Sequence, residues 1–270
     1  MAKRQTLYYG VDFSGAVDAG RKVWVSRAVF DPLTEVVTIQ STQRAADAHG
    51  GGKSRDAAYA WLRDQILRAG DAVWGMDFPF GVSAPLNAYT TWAAFVLRFA
   101  DDYPTPFSLY ERGREIKPPR RHTDIEAKTP FAPHNLRLFR QTYHGIRDVI
   151  APLVADNAVN VPPMTAILPG RPTMLEICPA SLLKTRGWYF PYKGSSADHL
   201  AARAQLVHNF GFAMHESVRA MLLADKEGDA LDSAIAAYQT ATSHARGDIE
   251  QALADPDPIY RLEARVFGLI

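Results

Sequence analysis

The sequence predicts an α/β protein whose mixed sheet, three antiparallel strands followed by parallel strands, is flanked by helices. Residues 8–13, 22–30 and 35–41 are rich in Val, Ile, Trp and Tyr and are separated by short turns, which is typical of antiparallel strands joined by hairpins. Residues 71–77 and 173–178 are short apolar runs beside helical patterns, as in strands that are buried on both faces and connected through helices. Strands of both kinds in one chain indicate a mixed sheet.

Helical spacing of apolar residues first occurs at residues 55–69, directly after Ser54, which suits a helix N-cap. The same reasoning predicts further helices over residues 86–99, 135–154, 179–186, 197–209, 215–223 and 228–244, and a last strand over residues 259–267. Residues 101–130 are Pro-rich, highly charged and weakly periodic, which predicts an inserted lid. At 270 residues the chain is expected to form one domain, residues 1–270, that carries this insertion.

Composition narrows the class of protein. With 47% hydrophobic and 22% charged residues, and no apolar run near the roughly 20 residues of a membrane span, a soluble globular protein is expected. The single cysteine, Cys178, excludes an internal disulfide, and the N-terminus has no signal-peptide pattern, so a cytoplasmic location is expected. The formal charge of +1 means that a nucleic-acid partner must be held by a local basic patch.

Acidic residues stand where the predicted elements end or begin. Asp12 ends the first strand, Asp77 and Glu176 belong to the ends of the two buried strands, and Asp229 and Asp232 start a helix. A mixed sheet gathers such positions at one edge, and carboxylates that converge there repel one another unless a cation neutralises them. Because hard oxygen ligands with few histidines favour Mg²⁺ or Mn²⁺, one of these cations is expected.

Each of these acids also has an ordinary structural explanation. Asp229 and Asp232 lie three residues apart on one helix face, where they can cap the helix or interact with its dipole. Asp12 and Asp77 can each serve a turn. The structural explanation is weakest for Glu176, because a turn does not need a mid-strand glutamate.

Four segments in order resemble the family of predicted nucleases with a ribonuclease H-like fold. They are Gly-Val-Asp-Phe-Ser-Gly-Ala at Asp12, Gly-Met-Asp-Phe-Pro-Phe-Gly at Asp77, Leu-Glu-Ile-Cys-Pro-Ala-Ser at Glu176, and Gly-Asp-Ala-Leu-Asp-Ser-Ala-Ile-Ala-Ala-Tyr from Gly228. The last segment is also distantly similar to the final helix of Holliday-junction resolvases. Two further segments, Arg121-His-Thr-Asp124 and Glu263-Ala-Arg-Val-Phe, resemble the family's Arg-x-x-Asp segment and its Glu-Gly-Trp-Ile ending, from which Ala264 and Arg265 differ.

The resemblance implies a metal-dependent nuclease that hydrolyses phosphodiester bonds in nucleic acid, either DNA or RNA. The implied catalytic residues are Asp12, Asp77, Glu176, Asp229 and Asp232. Asp12, Asp77 and one or both of Asp229 and Asp232 would hold the cation, which activates water and stabilises the leaving oxygen. Glu176 would be a ligand or would orient one.

Basic residues in the predicted insertion provide a candidate surface for the nucleic acid. They are Arg112, Arg114, Lys117, Arg120 and Arg121, followed on the next helix by Arg137 and Arg140. They are suited to track a phosphate backbone, although a solvated charged loop has the same composition. Arg120 and Arg121 are expected over the acidic pocket, because a scissile phosphate needs cations on the side away from the metal. With Ser14 and Asp124 they form the predicted substrate-binding set.

Three alternatives remain open from the sequence. Residues 49–54, His-Gly-Gly-Gly-Lys-Ser, contain the end of a P-loop, although residue 47 is Asp where the first glycine is needed. The turn at residues 12–15 is similar to the phosphate-binding turn of actin-like kinases, which suggests an ATP-dependent phosphotransferase. The third alternative is a catalytically inactive module that binds nucleic acid.

Overall fold

A computed structural model describes residues 5–48, 50–255 and 257–269 and shows an α/β fold built on one mixed sheet. Its strands are β1 (Tyr8–Asp12), β2 (Trp24–Asp31), β3 (Val36–Arg44), β4 (Val73–Met76), β5 (Thr173–Glu176) and β6 (Ala213–Met214). They lie in the order β5-β4-β1-β2-β3-β6. The pairs β1–β2 and β2–β3 are antiparallel, whereas β4, β5 and β6 each run parallel to the strand beside which they are added.

Helices cover both faces of this sheet. They are α1 (Arg55–Arg68), α2 (Trp92–Asp102), α3 (Pro106–Ile116), α4 (His122–Glu126), α5 (Phe139–His144), α6 (Ala151–Ala155), α7 (Pro179–Thr185), α8 (Ala197–Phe210), α9 (Glu216–Ala224), α10 (Asp229–Ala245), α11 (Asp248–Ala254) and α12 (Ile259–Glu263). A π-helical turn, Gly145–Ile150, joins α5 to α6. No helix in the described part of the chain is long and apolar enough to cross a membrane.

Alternation of side chains along each strand gives the sheet two buried faces with separate hydrophobic cores. Val11 and Met76 belong to the core on what we call the first face, which also includes apolar residues of α1 and α2. Tyr8 and Val73 belong to the core on the second face, which includes α8 and α10. The face on which a side chain stands therefore decides which helices it meets.

The long helix α10 crosses the second face at unusually close range. A methyl group at Gly10 of β1 would lie 2.0 Å from the backbone nitrogen of Ala237, and one at Gly75 of β4 would lie 1.8 Å from Thr240 Oγ1. Only glycine permits such an approach of strand and helix. Because Gly10 also meets the carbonyl of Ser233, the first turn of α10 lies beyond that crossing, beside the carboxyl ends of β1 and β4.

The predicted α/β class and mixed sheet are confirmed, and two segments differ from prediction. The predicted strand over residues 259–267 is wrong, because the chain forms α12 there, with the inward-facing Tyr260 and Glu263 at helical spacing, and then a single bridge between Val266 and Glu176. Residues 101–130, predicted as a helical or loop insertion that acts as a lid, contain α3 and α4, and Leu109 of α3 is fully buried, so this segment is packed against the core. Short β6 and helix α11 were not anticipated.

The segment that suggested a P-loop, residues 49–54, lies only partly within the described residues, because His49 is outside them. The described part, residues 50–54, forms the connection from β3 to α1. Ser54 Oγ accepts a hydrogen bond from the amide of Ala57 at 3.2 Å, which is the role of a helix N-cap. None of these residues lines the acidic cavity described below.

Candidate active site

Asp12 and Asp77 lie side by side at the carboxyl ends of the parallel strands β1 and β4. The amide of Asp77 donates to the carbonyl of Val11 at 3.0 Å and so continues the strand ladder. Alternation from Tyr8 and from Val73 places both aspartates on the second face of the sheet. Their carboxylates are therefore directed toward the face that α10 covers.

Asp229 and Asp232 occupy the first turn of α10. Neither caps the helix with its side chain, because Asp225 Oδ2 accepts the hydrogen bond from the amide of Ala230 at 2.9 Å. Both instead contact Lys193, whose Nζ lies 3.1 Å from Asp229 Oδ1 and 2.7 Å from Asp232 Oδ2. The helix-capping explanation thus belongs to Asp225, and the two acids of the turn face the cavity.

The segment that carries Lys193 is fixed from two sides. The hydroxyl of Tyr192 donates to Asp232 Oδ1 at 2.5 Å. Arg203 of α8 donates from Nη1 to the carbonyls of Tyr192 and Gly194 at 2.7 and 3.0 Å. Lys193 is therefore held at the start of α10 by backbone contacts as well as by its own ion pairs.

One cavity of about 720 Å³ is lined by Asp12, Asp77, Asp229, Asp232 and Lys193. Aromatic residues and prolines from two loops form much of the remaining lining. The structure thus brings together four of the five acids that the sequence singled out. They come from two strand ends and one helix N-terminus that are far apart in the chain.

Asp12 and Asp77 hold their protons more tightly than ordinary aspartates, because their pKa values are raised. Burial raises the pKa of Asp12 well above its ordinary range, and the charges of Asp229 and Asp232 raise it further. Burial, with help from Asp232, raises the pKa of Asp77 to about 8. Burial would lower the pKa of Lys193, but the carboxylates of Asp232, Asp12 and Asp229 outweigh it and raise that pKa. One lysine does not balance four carboxylates.

Asp12 and Asp77 are the acids left open to a cation. Among the described residues no group donates a hydrogen bond to either carboxylate. Across the same residues, no set of three or more His, Cys, Asp or Glu side chains is arranged so that it could hold a metal ion. Of the four aspartates in the cavity, Asp229 and Asp232 are paired with Lys193, whereas Asp12 and Asp77 form no ion pair with a described residue.

Glu176 is separated from the four aspartates because it stands on the first face of the sheet. In the parallel register of β4 and β5 it is the partner of Met76. Its Oε1 accepts from Arg121 Nη2 at 2.6 Å, and its Oε2 accepts from the amide of Phe80 at 2.8 Å. Glu176 lines a smaller adjoining cavity of about 150 Å³, which also contains Asp77, and not the cavity between β1 and α10. The prediction that it shares the acidic pocket is corrected accordingly.

Arg121 does not reach toward substrate, contrary to prediction. Its side chain is 1% exposed and forms ion pairs with both Asp124 and Glu176. Two buried carboxylates require a counter-ion, and this requirement fixes the arginine inside the fold. Arg120 is exposed, but its Nη2 donates to the carbonyl and hydroxyl of Thr129. Neither arginine lines the acidic cavity, and Asp124 is likewise occupied.

Two other predicted residues have local roles. Ser14 lines the cavity, its Oγ accepts from the amide of Ala16 at 3.3 Å, and its carbonyl accepts from the hydroxyl of Tyr59 at 2.7 Å. Glu263 is buried, and its two carboxylate oxygens accept from the amides of Ala84 and His122 at 2.7 and 2.9 Å. Ser14 is thus part of the cavity wall, whereas Glu263 joins α12 to the start of α4 and to the short 3-10 turn at Ala84.

Sequence reasoning missed Lys193, Tyr192 and Gln141, all of which line the cavity. Gln141 Nε2 donates to the carbonyl of Asp77 and so supports the loop that follows β4. The sequence did allow one general prediction, because four converging carboxylates need a cationic side chain nearby. Nothing in the local pattern around Lys193 shows that it meets a helix that begins 36 residues later.

Comparisons of this chain with protein-family models, with curated proteins and with solved structures find no match.

Proposed function

We propose that this protein is a metal-dependent nuclease with a ribonuclease H-like core, and that the cavity between β1, β4 and α10 is its active site. The reaction would be hydrolysis of a phosphodiester in DNA or RNA. Water adds across one P–O ester bond, one fragment keeps a phosphate monoester, and the other receives the proton on its hydroxyl.

The arrangement of the sheet supports the first half of the proposal. Three antiparallel strands are extended on the β1 side by parallel β4 and β5, which is the strand pattern that the sequence resemblance implies. The acids of the resembling segments at β1, β4 and α10 then meet at one edge of the sheet. Because one fold hosts many activities, the support for a nuclease comes from the residues of this site.

The observation that carries the proposal is the state of Asp12 and Asp77. These two adjacent carboxylates line the cavity and have raised pKa values. Neither accepts a hydrogen bond from a described residue. Asp12 and Asp77 are half-buried in the cavity wall, and carboxylates partly removed from water without a partner cost stability that folding alone does not explain. Perturbed acids of this kind concentrate at functional sites.

The donor set fits Mg²⁺ or Mn²⁺. Such ions bind protein through one or two carboxylates and complete their shell with water and substrate phosphate, which agrees with the absence of a larger preassembled ligand set among the described residues. Asp12 and Asp77 would hold the ion. The chemistry it supplies when bound is the activation of a water molecule and the stabilisation of charge on the phosphate.

The chain's own residues contribute positioning and charge. Lys193 places an ammonium group on the cavity wall, where it lessens the repulsion between the carboxylates and an approaching phosphate. Tyr192 and Asp232 keep that ammonium in place. Gln141 orients the backbone at Asp77 through its hydrogen bond to the carbonyl.

A cleavage panel tests the proposal. Labelled single-stranded DNA and RNA, duplex DNA, an RNA–DNA hybrid and a branched DNA junction are incubated with the protein in Mg²⁺ or Mn²⁺. We expect cleavage of at least one substrate, its loss in EDTA, and a decrease of about 100-fold or more for Asp12→Asn, since even residues behind a metal ligand cost 10- to 100-fold.

Asp64→Asn is the matched control, because Asp64 is an acid on the exposed side of α1 that pairs only with Arg68 among the described cations. It should cleave like the wild type. Equal cleavage by Asp12→Asn, or no cleavage of any substrate, contradicts the proposal. Metal-dependent binding of a substrate without turnover would favour the inactive binding module.

A further inference from the structure

Two aromatic rings of the cavity lining are free of the hydrophobic cores. Phe131 and Tyr189 both line the cavity, and neither belongs to the core on either face of the sheet. Tyr189 is 56% exposed, which is high for a ring of its size. Among the described residues neither ring is stacked on another aromatic side chain. Each ring has a cation over one face, Lys184 over Tyr189 and Arg137 over Phe131, so a planar ligand would stack on the opposite face.

The local sequence explains why Tyr189 is turned outward. Helix α7 ends at Thr185, Gly187 takes a left-handed φ of 71°, and the chain continues without helix or strand through Trp188-Tyr-Phe-Pro-Tyr192. Trp188 packs against the core of the second face and Tyr192 belongs to it, which leaves Tyr189 on the cavity side. Since Tyr192 is tied to Asp232 and to Arg203, the ring is presented from a fixed support.

A cation stands beside each ring. Lys184 Nζ lies 5.2 Å from the ring centre of Tyr189, and Arg137 Cζ lies 5.4 Å from that of Phe131. Lys184, near the end of α7, also donates to the carbonyl of Lys128, which links α7 to the segment that leads to Phe131. The cavity therefore combines an acidic part, at the strand ends, with an aromatic part that has positive charge at its rim.

We propose that the aromatic part of the cavity, Phe131 and Tyr189, stacks the base of an unpaired nucleotide, so that the substrate class is single-stranded nucleic acid. This rests on the proposed nuclease function and narrows it. An aromatic ring can cover a base only where the base face is free, and in a duplex both faces are covered by neighbouring pairs. Stacking would add affinity to the phosphate contact that a cation held by Asp12 and Asp77 would supply.

The size and charge of the cavity agree with this ligand. Its volume of about 720 Å³ lies within the ~300–1,000 Å³ of pockets that enclose drug-sized ligands, which suits a nucleotide unit and not a double helix. Lys184 and Arg137 are next to the two rings, and in the proposed complex they would meet the phosphates on either side of a stacked base. Such contacts are independent of base identity, so the site should accept different sequences.

Fluorescence anisotropy tests the inference directly. The probes are a labelled 12-nucleotide oligothymidylate and a labelled 12-base-pair DNA duplex, bound to Asp12→Asn protein in Mg²⁺ so that cleavage does not interfere. We expect the single strand to bind at least about tenfold more tightly than the duplex. Tyr189→Ala in the same background should weaken single-strand binding by about fivefold or more, the loss typical of one stacked base.

Two control variants sharpen the experiment. Tyr189→Phe keeps the ring and should bind the single strand within about twofold of its parent. Phe107→Ala removes a ring that is 49% exposed and also lies beside an arginine, Arg140, but is outside the cavity, and it should leave binding unchanged. Because Tyr189 is exposed, its replacement should not disturb folding, and thermal melting of Tyr189→Ala checks this.

Unchanged single-strand affinity in Tyr189→Ala, or tighter binding of the duplex, overturns the inference. Its failure can be told apart from failure of the nuclease proposal by cleavage with wild-type protein. If the duplex is cleaved and Tyr189→Ala cleaves it normally, the protein is a nuclease of another substrate class. If no nucleic acid is cleaved, the nuclease proposal itself fails.

Discussion

Asp77 shows how one half-buried carboxylate couples the stability of the fold to pH. Its pKa is raised to about 8 by burial and by Asp232, whereas an aspartate in an unfolded chain titrates near 4. Between those values the folded protein keeps a proton that the unfolded chain has lost. The stabilisation from this proton is complete below about pH 4 and is lost as the pH rises through 8.

Asp77→Asn should therefore be more stable than the wild type at pH 8 in EDTA, because the amide has no proton to lose. We expect a gain on the order of 1 to 3 kcal/mol at pH 8, equivalent to a few degrees in Tm, and no gain at pH 4. Thermal unfolding at the two pH values measures it, with Asp64→Asn as the exposed control. A wild type that is more stable than Asp77→Asn at pH 8 would refute the burial argument.

Lys193 competes with any cation for the acids of α10. Its Nζ lies 3.1 Å from Asp229 and 2.7 Å from Asp232, and its side chain is 48% exposed. Replacement with Met removes the competing charge while keeping the length of the side chain. Lys193→Met should therefore bind Mn²⁺ more tightly at pH 8, by roughly tenfold, or about 1.4 kcal/mol.

Calorimetric titration of Mn²⁺ measures this change. Lys22→Met is the matched control, since Lys22 also lines the cavity but forms no ion pair with a described acid. It should alter Mn²⁺ affinity less than Lys193→Met does. Weaker Mn²⁺ binding by Lys193→Met would mean that the lysine organises the acids for the ion and does not compete with it.

At the scale of elements, α4 is joined to the sheet and to the C-terminal segment through Arg121. The guanidinium donates to Asp124 on its own helix, to Glu176 at the end of β5 and to the carbonyl of Glu263 in α12. Burial alone would lower the pKa of Arg121, but Glu176 and Asp124 more than reverse this. The arginine thus keeps its charge and holds three separate elements together behind the cavity.

Arg121→Met should destabilise the fold by about 3 to 5 kcal/mol, because it leaves two buried carboxylates without a counter-ion. Arg120→Met is a close control, as the neighbouring arginine is exposed and bonds only to Thr129 among the described residues; it should cost about 1 kcal/mol or less. Urea unfolding of both variants gives the comparison. Equal stability of the two would show that the buried ion pairs do not hold α4 in place.

For the whole molecule, the sheet was predictable because its signals are local. Short sequence patterns, about ten residues long, predict the hairpin strands, the buried strands and α10. The observed bounds of β1 and α10 are close to the predicted ones. Asp12 and Asp77 could be placed because strand ends in a parallel pair meet at one edge. The sequence also indicates that Glu176 points to the same face of the sheet as Met174 and to the opposite face from Leu175, because side chains alternate along a strand.

The remaining parts depend on contacts between distant segments. Lys193 meets Asp229 only through the path of α8 and α9, which local periodicity does not reveal. Arg121 looks like a surface residue in a charged stretch, and only Glu176 from β5 explains its burial. The prediction of a strand at residues 259–267 was wrong for a similar reason. Tyr260 and Glu263 contact α4, and the local sequence does not indicate that α4 packs there.

The most direct test of the central claim is Mn²⁺ binding by calorimetry, with and without a phosphorothioate oligonucleotide that resists cleavage. The wild type should bind Mn²⁺ weakly alone and more tightly with the oligonucleotide, because the phosphate completes a shell to which the protein contributes few carboxylates. Asp12→Asn should lose this binding, whereas Asp64→Asn should keep it. Equal Mn²⁺ binding by wild type and Asp12→Asn would contradict a metal-dependent site at the ends of β1 and β4.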